Sequence, residues 1–137
     1  MSTVVTPPAA ISKARLITGY VLSIAPALLL IAAASMNFTK PEDVVKETIK
    51  MGYTEEVMVP LGIVTVISAV LLIIPRTALI GALLVTGYLG GAVATHVIHR
   101  DDMVKILIPV IFASVIWIGL ILRNPKLNKL MPWGEGL

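Results

Sequence analysis

Four long stretches without a charged side chain constrain the fold of this sequence more than any other feature. They cover residues 16–39, 57–75, 77–99 and 106–122, and they contain 24, 19, 23 and 17 residues. A charged side chain is costly in the hydrocarbon core of a bilayer, and a helix of roughly 20 apolar residues spans that core. The sequence therefore predicts an all-α membrane protein with four transmembrane helices, at about 16–37, 57–74, 77–97 and 104–122.

Composition supports a membrane environment and a single domain over residues 1–137. Hydrophobic residues make up 57% of the chain and charged residues 14%, against roughly 45–50% and 25% in soluble domains. The chain has no cysteine, which excludes disulfides, iron–sulfur clusters and thiol exchange by the chain itself. The net charge is +3, but the Lys and Arg residues flank the apolar stretches. We therefore predict contact with the lipid bilayer and not with nucleic acid.

The connections between the stretches predict how the helices are arranged. Only Pro75 and Arg76 join the second and third predicted spans, which requires an antiparallel hairpin. In the longer connection, 40–56, the sequence predicts a short amphipathic helix at the membrane interface, and Thr39 and Glu42 have the spacing of a capping box. The predicted architecture is an up-down-up-down four-helix transmembrane bundle, with a short interfacial helix between the first and second spans.

The distribution of Lys and Arg predicts that both termini are cytoplasmic. Six of these residues lie on the side of the termini and five on the opposite side, and the richer side is usually cytoplasmic. Lys13 and Arg15, in front of the first stretch, also resemble the start of a signal peptide. That stretch is longer than the apolar core of such peptides, which has roughly 7–15 residues. We therefore predict that it is a membrane-spanning helix.

The third stretch contains a run of small residues at helical spacing. Gly87 and Gly91 are four residues apart, Gly90 adjoins Gly91, and Thr95 extends the row by one turn. Small residues at this spacing let helix backbones approach closely, which membrane helices need because lipid provides no hydrophobic drive for their association. We predict that these four residues are helix-packing positions. The alternative is a groove for a flat ligand.

His96 follows on the same helix, and an ionisable residue inside a predicted span marks a candidate site. His99 and Arg100 lie three and four residues further on, so all three share one helix face. No third ligand such as Cys or a buried Glu accompanies the two histidines, so no metal site is predicted. The alternatives are a histidine solvated at the interface and a ligand-binding or proton-handling site. No catalytic motif occurs in the chain, and no catalytic residue is predicted.

Several segments of the sequence resemble the DoxX-like family. The strongest likeness is IPRTALIGA at 74–82 with TGYLGGAVATH at 86–96, and further likeness comes from KMGY at 50–53, LGI at 61–63 and WIGLILRNP at 117–125. The resemblance implies a small four-helix protein of the bacterial cytoplasmic membrane. The wider group is named for a subunit of a thiosulfate:quinone oxidoreductase, and other relatives are associated with oxidative stress.

The resemblance also implies where a site would lie. Family members often carry a Lys at the end of the first span and a Glu early in the second, and the matching positions here are Asn37 and Thr65. This departure removes a charged pair. A site of the family type would therefore be a neutral version built from Asn37, Thr65 and His96.

Two functions are compatible with these observations. The first, which the lack of catalytic motifs favours, is a non-catalytic accessory or scaffold subunit of a membrane redox system, whose glycine face packs in a homo-oligomer or against a redox partner. The second is a binding protein or enzyme for a small hydrophobic molecule held between helices near His96, with Tyr88, Thr65 and Asn37 as further polar contacts. No cofactor is predicted other than such a molecule, a quinone or a lipid. A channel or transporter is disfavoured because four short helices without internal charges offer neither an ion pathway nor the inverted repeats typical of transporters.

Overall fold

Helices make up the whole regular structure of the described chain. A computed structural model describes residues 10–133. Its helices are α1 (Lys13–Thr39), α2 (Glu42–Lys50), α3 (Met58–Ile73), α4 (Ala78–Ile98), α5 (Met103–Arg123) and α6 (Pro125–Lys129). A single 3-10 turn, Glu55–Val57, leads into α3.

The helices α1, α3, α4 and α5 are long and apolar enough to cross a bilayer. Large apolar side chains point outward from them: Ile17 is 63% exposed, Leu29 60% and Ile98 76%. Soluble monomers rarely expose such continuous apolar surface, whereas lipid tails solvate it in a bilayer. The prediction of an all-α fold with four membrane-spanning helices is confirmed.

The four long helices form a ring of neighbours. α1 packs between α3 and α5, and α4 packs between the same two helices on the opposite side. Gly62, near the start of α3, lies against Asn37, near the end of α1. Gly19, near the start of α1, lies against Arg123 at the end of α5. We call these two ends of the bundle the His96 end and the Arg123 end.

Three glycines set the closest approaches between the helices. A Cβ atom on Gly19 would lie 2.7 Å from the backbone nitrogen of Arg123 and 2.9 Å from the carbonyl oxygen of Gly119. A Cβ atom on Gly81 would overlap the backbone of Leu72. Because any larger residue would push backbones apart, Gly19 and Gly119 hold α1 against α5, and Gly81 holds α4 against α3.

The interior is filled by small and aliphatic side chains, with a few hydroxyl groups among them. Its buried apolar residues in the long helices are Ala27, Leu30, Ala34, Met58, Ala69, Leu72, Ala78, Ala82, Val85, Leu89, Ile116 and Leu120. The buried hydroxyls of Ser23, Thr65 and Ser68 each donate to a carbonyl oxygen one turn earlier in their own helix. These three polar groups are therefore satisfied without a partner from another helix.

The segment between α1 and α3 contains the predicted short helix, α2, but its start differs from the prediction. The predicted capping box is wrong, because Thr39 is the last residue of α1 and its hydroxyl donates to the carbonyl oxygen of Ser35. α1 ends where Lys40 takes a φ of 47°, in the left-handed region, and Pro41 occupies the N-cap position of α2. The interfacial position of α2 and the up-down-up-down course of the chain stay predictions.

Candidate functional site

A cleft of about 560 Å³ lies between α3 and α4 at the His96 end of the bundle. Leu61 and Val64 line it from α3, and Asn37 lines it from the end of α1. Thr48, Met51 and Tyr53 border it from the segment that contains α2. Its remaining lining residues all come from α4, and the lining as a whole includes no Lys, Arg, Asp or Glu of the described chain.

α4 contributes a continuous strip to this cleft. Its lining residues are pairs at four-residue intervals, from Leu83 and Leu84 through 87–88 and 91–92 to Thr95 and His96. Residues four apart share a face of an α-helix, and twelve residues rise by about 18 Å. The strip is apolar at Leu83 and polar at His96, so the polarity of the cleft increases toward the His96 end.

The glycines of the third span do not pack against another helix of the described chain. A Cβ atom on Gly87, Gly90 or Gly91 would meet no neighbouring atom within 4 Å. Their packing against a helix of another chain stays a prediction, but these glycines do not pack the helices of this bundle together. The reason is the rotation of α4: Leu89 points into the core, and Gly91 lies two residues, or about 200°, further around the helix. Gly87 and Gly91 instead line the cleft.

Thr95, also predicted as a packing residue, forms two hydrogen bonds at the end of the cleft. Its Oγ1 lies 2.6 Å from the hydroxyl oxygen of Tyr53 and 2.9 Å from the carbonyl oxygen of Gly91. Because the single hydroxyl proton of Thr95 is donated to Gly91, the Tyr53 hydroxyl is the donor in the other bond. The bond from Tyr53 joins the segment before α3 to the end of α4.

His96 lies at the rim of the cleft and is paired with an acid beyond the end of α4. Its Nδ1 is 2.8 Å from Oδ2 of Asp101, and Nζ of Lys105 is 3.6 Å from the other carboxylate oxygen. The hydrogen bond from His96, and then the charge of Lys105, hold the pKa of Asp101 below its usual value. An ionised Asp101 accepts the N–H at Nδ1 of His96. In the neutral form of the imidazole with this tautomer, Nε2 is a hydrogen-bond acceptor.

Three of the four predicted ligand contacts line the cleft, namely Asn37, Tyr88 and His96. Thr65 does not: it is 2% exposed, and its hydroxyl donates to the carbonyl oxygen of Leu61 at 2.7 Å. The neutral site implied by the family resemblance is therefore not assembled with Thr65. Binding of a ligand by the other three residues stays a prediction.

His99 does not join His96 in a shared site. Its Nδ1 lies 2.9 Å from the carbonyl oxygen of Thr95, and its side chain is exposed. Over residues 10–133, no group of three His, Asp, Glu or Cys side chains is placed to hold a metal ion.

Tyr53 and Asp101 were not among the predicted site residues. Asp101 reaches His96 because Arg100 takes a φ of 54°, which turns the chain back over the last turn of α4. The backbone N–H of Asp101 then bonds to the carbonyl oxygen of His96 at 3.0 Å. Such a reversal usually carries Gly or Asn at its left-handed position, so Arg100 gave no sequence signal for it. The contact between Tyr53 and Thr95 was not predicted because the two residues are far apart along the chain.

Comparison with known proteins identifies a family for this chain. The sequence pattern of the DoxX-like family matches residues 21–119, a region that begins within α1 and ends within α5. It contains the three predicted contacts in the cleft, Asn37, Tyr88 and His96, and both walls of the cleft. Searches of curated proteins and of solved structures found no match. With its four membrane-spanning helices and a match over most of its length, the chain belongs to the DoxX-like family.

Proposed function

We propose that this membrane protein binds a neutral hydrophobic molecule with a small polar head, of the quinone class, in the cleft between α3 and α4. The cleft itself carries the proposal, because Asn37, Tyr88 and His96 line it together with the open glycines Gly87 and Gly91. Ligand pockets are typically apolar, with a few polar groups and roughly 300–1,000 Å³ of volume. The volume here is about 560 Å³.

The order of polar and apolar residues along the cleft supports a ligand whose head lies at the His96 end. Leu83 and Val64 offer apolar surface for a hydrocarbon tail, while Asn37 and His96 offer hydrogen bonds to a head group. A quinone carbonyl accepts such bonds, and a quinol hydroxyl donates to a neutral imidazole. A phospholipid phosphate calls for Lys or Arg, and the described lining of this cleft contains neither.

The open glycines support a flat head group. Gly87 and Gly91 present only backbone to the cleft, so a planar ring can lie against α4 in van der Waals contact. Tyr88 adds an aromatic ring beside them. The proposal concerns binding, and it assigns no catalytic residue.

Two substitutions in neighbouring positions of α4 test this proposal. In Gly91→Leu the new side chain would occupy the cleft. Gly90→Leu is the matched control, because both glycines are exposed and have open space beside them, but only Gly91 lines the cleft. Equilibrium dialysis of the purified protein with decylubiquinone measures the affinity.

We expect Gly91→Leu to weaken decylubiquinone binding by about tenfold or more, and Gly90→Leu to bind as the wild type does. The absence of saturable binding by the wild-type protein would contradict the proposal. So would equal affinities of all three proteins.

A second candidate, an accessory or scaffold subunit of a membrane redox system, is supported by Gly90. This residue is exposed on α4 outside the cleft lining, and open space beside it would admit the backbone of a helix from another chain. The same two variants separate the functions by their assembly state in mild detergent. A scaffold predicts that Gly90→Leu disperses a complex that Gly91→Leu preserves, and an identical mass for both variants argues against it.

We also propose that the protein resides in the bacterial cytoplasmic membrane with both termini in the cytoplasm. The family supports the membrane location, and the excess of Lys and Arg on the side of the termini supports the orientation. Because the chain has no cysteine, Lys46→Cys and Lys129→Cys each create a unique label. A membrane-impermeant maleimide should label Lys46→Cys in intact cells, and Lys129→Cys only after permeabilisation. The reverse pattern would overturn the orientation.

A further inference from the structure

A second cavity lies at the Arg123 end of the bundle, opposite the cleft. Its volume is about 220 Å³, and it is lined by Tyr20, Pro75, Ala78, Leu120, Arg123 and Asn124. These residues come from α1, from the connection between α3 and α4, and from the facing ends of α4 and α5. None of them lines the cleft, so the two cavities are separate.

Arg123 is a buried cation with unused hydrogen-bonding capacity. Only 8% of its surface is exposed. Its Nη2 donates to the carbonyl oxygen of Leu72 at 2.6 Å, and the guanidinium carbon lies 5.1 Å from the centre of the Tyr20 ring. Nη1 is also buried, and within residues 10–133 it has no hydrogen-bond partner. No carboxylate of the described chain forms an ion pair with Arg123, because those that form ion pairs do so with other residues.

Close helix packing keeps this cation in place. A Cβ atom on Gly19 would lie 2.9 Å from Cβ of Arg123, which shows how tightly α1 covers it. A guanidinium stays charged in proteins, and a buried cation without a counter-charge is unfavourable. A bound anion would remove both the uncompensated charge and the unpaired donor.

We propose that this cavity binds a phosphate-sized anionic group, with Nη1 of Arg123 as its main donor. Asn124 supplies a second donor, because its Oδ1 already accepts the Leu127 N–H and its amide NH₂ is left to donate. The volume of the cavity suits a head group and not a whole lipid. The phosphate of an anionic lipid and a free phosphate ion present the same oxygen atoms to a guanidinium.

The test compares the full-length wild type with Arg123→Gln and Lys126→Gln. Lys126 is the matched control, because it lies three residues further along the chain, is exposed, and loses the same charge. In one arm, each protein is reconstituted in nanodiscs of phosphatidylcholine with or without phosphatidylglycerol, and the lipid retained after extraction is counted by native mass spectrometry. In the other arm, inorganic phosphate is titrated by equilibrium dialysis in detergent.

Preferential retention of phosphatidylglycerol by the wild type and Lys126→Gln, with a loss of about tenfold or more in Arg123→Gln, supports the proposal and identifies a lipid head group. Saturable phosphate binding with the same dependence on Arg123 supports a free anion. The proposal is overturned if the wild type shows neither, or if Arg123→Gln binds like the wild type.

Arg123→Gln also removes the hydrogen bond to Leu72 and can prevent folding. If this variant does not fold, two further measurements test the proposal. The wild-type preference between the two lipids needs no variant, and its absence together with the absence of phosphate binding overturns the proposal. Arg123→Lys keeps the positive charge but replaces the three nitrogens of the guanidinium by a single ammonium, so it should retain part of the binding. Full retention of wild-type affinity would contradict the assigned role of Nη1.

Discussion

Two sets of glycines in this chain look alike in the sequence and have opposite surroundings in the structure. The packed glycines touch the backbone of a neighbouring helix, and they are Gly19, Gly81 and Gly119. The open glycines all lie in α4, where an added Cβ atom would meet no neighbouring atom within 4 Å, and they are Gly87, Gly90 and Gly91. Both sets lie in apolar helices, so a small residue at helical spacing does not by itself identify a packing face. What separates them is the rotation of each helix relative to the core.

Gly81→Ala should cause the largest loss of stability among the glycine substitutions. Its Cβ atom would overlap the backbone of Leu72, and a backbone cannot yield as the end of a flexible side chain can. We expect a loss of about 3 kcal/mol in the free energy of unfolding, as in overpacked cores. Unfolding by sodium dodecyl sulfate, followed by circular dichroism, measures it. Gly87→Ala on the same helix is the control, and equal losses in the two variants would refute the distinction.

The crossing of α1 and α5 should show a smaller loss. Gly19→Ala and Gly119→Ala each place a Cβ atom 2.7 Å from a backbone nitrogen of the other helix. We expect each to cost about 2 kcal/mol. Both substitutions widen the same crossing between α1 and α5. The double variant should therefore lose less free energy of unfolding than the sum of the two single losses. Strict additivity in the same unfolding assay would show that the two glycines act independently.

Gly87→Ala should leave stability nearly unchanged and affect binding instead. Its Cβ atom would meet open space, so we expect a change within about 0.5 kcal/mol in the free energy of unfolding. Because Gly87 lines the cleft, the affinity for decylubiquinone should fall severalfold. A clear loss of stability with unchanged binding would place Gly87 among the packed glycines.

Asp101→Asn should have the smallest effect, present at neutral pH and lost in acid, at the end of the molecule that holds the open glycines. The bond from His96 lowers the pKa of the Asp101 carboxyl in the folded protein. Ionised Asp101 therefore stabilises the fold above its ordinary pKa, and this contribution is lost as the pH falls through the lowered value. The variant should unfold at a lower temperature at neutral pH and converge on the wild type in acid. A constant difference at every pH would contradict this assignment.

The sequence was sufficient to predict the four membrane helices, because a charge in hydrocarbon is costly whatever the surrounding structure. It also identified Asn37, Tyr88 and His96, which share the cleft. It could not show that Gly87 and Gly91 line the cleft instead of packing against another helix of the bundle, because this depends on which face of α4 meets the core. The sequence also did not predict contacts between residues far apart along the chain. Nor did it predict the bond from His96 to Asp101, which needs a left-handed conformation at Arg100.

The contact at Gly81 also determines where α3 and α4 can move apart. It clamps the start of α4 to the end of α3, whereas ten residues later Gly91 faces open space. Two stiff helices fixed at one end change their separation mainly at the other. If the cleft binds a ligand as proposed, we therefore expect Gly81 to act as a pivot and the Tyr53–Thr95 hydrogen bond as a latch near the free end. The ligand would then enter the cleft sideways from the surrounding lipid, while the contacts of α1 with α5 stay intact.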